Sequence, residues 1–113
     1  MKNIDKLKEE YPTISSGYKT IIGEQYELFA DKHLSYGMDN ISMGTQLKTP
    51  EEKKLALTAV WIRMNDKMNR LKNLVLLNKE NTVQNESIED TFKDLSNYAI
   101  IAQLVIKDQW VKE

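Results

Sequence analysis

A chain of 113 residues is long enough for one domain with its own core and too short for two. Its 41% apolar and 29% charged residues exclude a disordered polymer, and a net charge of −1 gives no general attraction to nucleic acid or an anionic membrane surface. Cysteine is absent, which removes disulfides, thiolate catalysis and cysteine-bound metals together.

The opening MKNIDKLKEE is charged, so no secretory signal is expected, and runs such as 98–102 are far too short to span a bilayer. These features point to a soluble, cytoplasmic protein without a membrane partner. Few prolines and glycines and little β-branched alternation make helix the default. A first amphipathic segment, residues 2–11, ends against Pro12. A second, residues 16–33, places Tyr18, Ile21, Ile22, Tyr26 and Phe29 at helical spacing. The stretch LSYGMDNISMGTQLK, with Gly37 and Gly44, reads as a loop.

The third helix has the clearest start. Thr49 is its cap, Pro50 suits its first turn, and Glu52 completes a capping box. Its predicted apolar face is Leu57, Val60, Met64, Met68, Leu71 and Val75. After the polar NKENTVQNE, a fourth helix starts near Ser87 and runs toward the C-terminus, with Ile88, Phe92, Leu95, Ala99, Ala102 and Ile106 as its predicted core stripe. Helices three and four would each reach roughly 35 to 42 Å, against a radius of gyration of about 13 Å for a compact chain of this length. The expectation is an all-α, elongated bundle of about four helices forming one domain, 1–113, and burying a second face as a homodimer.

On a helical wheel Glu86, Asp90, Asp94 and Asn97 lie within an arc of about 80°, and the same line continues into Ile101 and Leu104. A stripe that only met water would stay polar, so these acids are expected to face protein, a partner subunit or a ligand. Acids in a first helical turn favour the macrodipole, which accounts for Glu89 and Asp90 but not Asp94. Asp90 and Asp94 repel each other unless a cation lies between them, and Mg²⁺ shared with phosphate oxygens is one such cation. On helix three, RMNDKMNRLKN sets Arg63, Asp66, Arg70 and Asn73 within a similar arc of about 80°, with Lys67 nearby. Two accounts fit. In one the flanks form an interhelical ion-pair network with no ligand. In the other Asp66, Glu86, Asp90 and Asp94 bind a metal, and Arg63, Lys67 and Arg70 bind phosphate oxygens.

The segments WIRMNDKMNRLKNL and ESIEDTFKDLSNYAIIA resemble a phage- and bacterium-encoded family, nucleotide modification associated domain type 1. The likeness runs through Asp66-Lys67, Arg70-Leu71, Glu86-Ser87, Asp90-Thr91, Asp94-Leu95 and Tyr98, and covers about residues 30–107. It implies an all-α protein of phage nucleotide metabolism, similar in outline to the MazG-like nucleotide pyrophosphohydrolases, which hold Mg²⁺ between an E-x-x-E pair and an E-x-x-D pair. This sequence departs from that pattern. Asp66-x-x-Asn69 supplies one carboxylate where two would stand, and the alternative pair, Glu24 and Glu27, lies on helix two.

The resemblance therefore implies a nucleotide-handling protein of the host cytoplasm. In its enzymatic form Asp90 and Asp94 are catalytic, and Mg²⁺ activates a water against the phosphate chain. A non-catalytic protein that sequesters a nucleotide signal of antiphage defence is the leading alternative, and a ligand-free structural dimer the third. His33 is a weaker candidate base than an ordinary helix-end residue. Met38 and Met43 read as apolar plugs, and Trp61 and Trp110 as core or dimer contacts. No phosphate-binding glycine loop and no nucleophilic triad occur.

Overall fold

The computed structural model describes every residue except Met1 and Lys112. It is all-α, with no strand among the described residues, as composition and periodicity predict. No helix among them is long and apolar enough to cross a membrane. The chain divides into two compact units, residues 1–35 and 36–113.

In the first unit α1 covers Lys2–Glu10 and α2 covers Pro12–Tyr36, its last residue entering the second unit. Pro12 ends one helix and opens the next, because its fixed φ suits a first helical turn and its missing N–H is not needed there. The predicted start at Ser16 was therefore a turn late. Among the described residues of these two helices only Ser15 is buried. His33 stacks on Phe29 at 5.4 Å between ring centroids and an interplanar angle of 13°, so this imidazole is packed as an aromatic neighbour.

The second unit contains the core. Gly37, at φ +73°, turns the chain into a short helix, α3 (Asp39–Ser42), within the stretch predicted as loop. Four residues leave almost no hydrophobic period to read. Helix α4, Pro50–Leu71, begins as predicted: Thr49 Oγ1 accepts the Glu52 N–H at 3.1 Å, and Glu52 Oε1 accepts the N–H groups of Lys48 and Thr49 at 2.9 and 3.1 Å. These two backbone donors, Lys48's the stronger, hold the Glu52 carboxyl below its usual pKa. The helix then loosens into a π-helical turn, Lys72–Leu76. Helix α5 is Ile88–Ile106, opened by the same device, with Ser87 and Asp90 exchanging side-chain and backbone hydrogen bonds at 3.0 Å each. Such caps contribute about 1 kcal/mol each.

Helices α4 and α5 pair antiparallel, since Lys53 meets Asp108 while Lys67 meets Asp94 and Arg70 meets Thr91. Ile41, Ala56, Val60 and Val105 are sealed from water at one end of the pair, joined by Leu47 and Trp110. The length predicted for the fourth helix is too great. Its 19 residues span about 28 Å, because the chain turns at Asp108 (φ 58°) and brings the Trp110 indole N–H to the Met38 carbonyl at 3.2 Å.

The predicted core stripe of that helix also needs correction. Ile88, Phe92 and Ile106 are exposed, whereas Thr91, Ile101 and Val105 are buried. On α4, Val60 and Leu71 are buried as predicted, Leu57 and Met64 are half-buried and Met68 is exposed, as is Val75 in the π-helical turn. Helix α5 is apolar on most sides, so periodicity alone does not select its inner face. The hydrogen bonds of Thr91 and the ion pair of Asp94 turn the 91/94/98/101/105 line inward.

Candidate functional site

The charged flanks meet at the end of the α4–α5 pair remote from the apolar core. On α4, Lys67 and Arg70 point across the helix pair because each lies within one turn of the buried Leu71. On α5 the cap at Ser87 fixes the first turn and sets Glu86, Thr91 and Asp94 opposite them. The Lys67 ammonium lies 2.9 Å from Glu86 Oε1 and 3.2 Å from Asp94 Oδ2. Burial acts to lower the Lys67 pKa, but the hydrogen bonds and charges of Glu86 and Asp94 outweigh it and raise the pKa above the ordinary lysine value.

Arg70 works differently. Its Nε donates to Thr91 Oγ1 at 3.1 Å, and one terminal nitrogen donates to the Glu86 carbonyl at 2.6 Å and to Asn81 Oδ1 at 3.0 Å. Thr91 is fully buried and passes its own hydroxyl hydrogen to the Ser87 carbonyl at 3.2 Å. Asn81 donates to the Glu86 carbonyl and accepts the Val83 N–H. One guanidinium thereby ties α4, the 77–87 loop and the start of α5 together. A shallow depression of about 310 Å³ opens beside it, lined by Asn81, Val83, Asn85, Glu86, Ser87 and Asp90.

The structure thus brings together Lys67, Arg70, Glu86 and Asp94 from the sequence-predicted set. Asp90 lies one turn away, its Oδ2 held by the Ser87 N–H at 3.0 Å. Arg63 is half-buried one turn before Lys67 on the same side of α4, and it has no ion pair among the described residues. Asp66 is exposed, and Glu24 and Glu27 are exposed on α2 in the other unit. Among the described residues no three side chains of metal-ligating type gather closely enough to hold an ion. In this arrangement Glu86 and Asp94 converge on the Lys67 ammonium. Asn81 and Thr91 escaped the charge-based reading. Thr91 lies inside the quoted E-S-I-E-D-T pattern, whereas nothing in NKENTVQNE singles out Asn81.

Trp110 belongs to the core, while Trp61 is 63% exposed and Met43 is exposed at φ 57°. No curated protein and no solved structure matches the chain. Residues 57–106, which contain Lys67, Arg70, Glu86, Thr91 and Asp94, match the family model described as Nucleotide modification associated domain 1, the family that the paired motifs resemble.

Proposed function

We propose that this chain binds a nucleotide through its phosphate chain, taken up together with the divalent cation that the phosphates carry. The observation behind this reading is the charge balance of the flank. Arg63, Lys67 and Arg70 stand against Glu86, Asp90 and Asp94, so a bare polyanion would meet as much repulsion as attraction. A nucleotide carrying Mg²⁺ presents both signs: its phosphate oxygens suit Arg63 and Lys67, and its cation suits Glu86 and Asp94. Without ligand the two helices satisfy each other through Lys67. The match over 57–106 supports a nucleotide-related role.

Binding without turnover, as in a protein that sequesters a nucleotide signal, is the form this geometry supports. Each acid proposed as catalytic is engaged within the protein: Asp90 accepts the Ser87 N–H, and Asp94 pairs with Lys67. A thermal-shift panel of nucleotides with and without Mg²⁺ tests the reading. Stabilisation that needs both components is expected, amounting to about 2.7 kcal/mol at a hundredfold excess over Kd. It should fall sharply in Arg63→Gln and in Asp94→Asn. No shift with any nucleotide would leave the second reading, a ligand-free ion-pair joint, which the wholly internal hydrogen bonds of Arg70 favour. Mg²⁺-dependent pyrophosphate release abolished by Asp90→Asn with Asp94→Asn would replace sequestration with hydrolysis.

A further inference from the structure

The shallow depression of about 310 Å³ beside Arg70 has a lining unlike that of the flank it adjoins. It contains no lysine or arginine, no aromatic ring, and one apolar residue, Val83, itself 48% exposed. The Asn81 amide is spent within the protein, accepting from Arg70 and Val83 and donating to the Glu86 carbonyl. Three other groups keep hydrogen-bonding capacity among the described residues. The Asn85 amide is not engaged there. Ser87 Oγ accepts the Asp90 N–H and still has its own hydrogen to give. Glu86 turns only Oε1 to Lys67 and Arg70, which leaves Oε2 as an acceptor.

On the nucleotide-binding reading above, we infer that this depression holds the sugar and reads its 2′-hydroxyl, which makes the ligand a ribonucleotide. Each part of a nucleotide seeks different chemistry. A phosphate finds no cation in this lining, and a base finds no ring or apolar wall to stack against. A ribose carries neutral hydroxyls that each donate and accept, and the uncommitted groups here offer both. Glu86 Oε2 accepts, Ser87 Oγ donates, and the Asn85 amide does either. A carboxylate beside the ribose is also how dinucleotide-binding folds read the 2′-hydroxyl. Glu86 then sets the direction of the ligand. Its Oε1 faces Lys67, where the cation and phosphates arrive, so the phosphate chain runs toward Asp94 and Arg63 and the sugar lies on the Oε2 side. The base projects from the open depression into water and is read weakly.

Isothermal titration in Mg²⁺ with the four ribonucleoside triphosphates and their 2′-deoxy counterparts tests it. Each ribonucleotide should bind about tenfold tighter than its deoxy partner, the worth of one hydrogen bond to a charged group in an open site. The factor should be similar for all four bases. Asn85 stands at φ 64°, so Asn85→Gly keeps the backbone and removes only the amide. The variant should bring the ribose-to-deoxyribose ratio down toward one. Equal affinity for the two sugars in the wild type overturns the inference and leaves nucleotide binding intact, as does a preference that Asn85→Gly does not change. Absence of binding by any of the eight removes the nucleotide reading and this inference with it. If the variant unfolds, the Asn85 side-chain amide resonances of the wild type decide. A shift with the ribonucleotide that the deoxynucleotide does not produce supports the sugar site, and the same response to both refutes it.

Discussion

At one end of the α4–α5 pair, Ile41, Ala56, Val60, Val105 and Trp110 exclude water with apolar side chains. At the other end the same two helices are joined by Lys67, Arg70, Glu86, Thr91 and Asp94, through hydrogen bonds and ion pairs of 2.6 to 3.7 Å. The two ends hold the helices by different physics. Apolar burial is non-directional and has no substitute partner in solution. A partly buried ion pair gains little net free energy over its hydrated components, so another charged molecule exchanges with it cheaply. The fold is anchored at the first end, and the second is where we propose that a ligand of mixed charge binds.

The largest separation of the two ends comes from Ile41→Ala. This side chain is fully buried on a four-residue helix packed against α4, where its neighbours relax only in part. A loss of about 3 kcal/mol is expected in urea denaturation, with little change in nucleotide-dependent stabilisation once matched to the variant's own midpoint. A loss below about 1 kcal/mol would place the anchoring core elsewhere.

Arg70→Met is expected to rank next, at about 2 to 3 kcal/mol, because it removes a charged donor from the buried Thr91 hydroxyl, the Glu86 carbonyl and Asn81 Oδ1 together, leaving each with one other hydrogen bond. Its effect should be local as well as global. Amide exchange in 77–87 should accelerate, while the N–H groups of 53–60 keep their protection relative to global stability. Uniform acceleration along the chain would show that the guanidinium supports the whole unit and not the loop joint.

Much of this division was legible in the sequence, and the exceptions have physical causes. Helix starts were legible because capping is local chemistry: Thr49 with Glu52 and Ser87 with Asp90 form the boxes their spacing predicts. The meeting of a basic with an acidic flank was legible because like residues recur at i, i+3 and i+4. The inner face of α5 was not, since Ile88, Phe92 and Ile106 are as apolar as Ile101 and Val105. The choice between those faces depends on partners distant in sequence. The C-terminal turn was hidden likewise, because Trp110 is drawn back by the Met38 carbonyl, 72 positions away. Charge pattern identified Lys67, Arg70, Glu86 and Asp94, yet it is silent on whether an ammonium or a metal lies between the acids.

That choice between ammonium and metal makes Lys67 the subtlest probe of the comparison. Its pKa is raised above 10.5 by Glu86 and Asp94. A group with a raised folded-state pKa contributes stability that is fully present below the unfolded value and disappears as pH climbs through the folded one. Wild type should therefore be more stable than Lys67→Met at neutral pH, where the variant leaves Glu86 and Asp94 facing each other without a cation. The gap, about 1 kcal/mol for a partly buried pair of this kind, should narrow as pH rises past 10.5, since wild type then surrenders the same ammonium. Urea midpoints of the two proteins compared across that range give the answer. A gap that stays constant would mean that the Lys67 side chain stabilises the joint by covering surface rather than by its charge. The acid pair would then owe its arrangement to the caps and to Arg70, and a cation arriving with a nucleotide would meet no ammonium it had to displace.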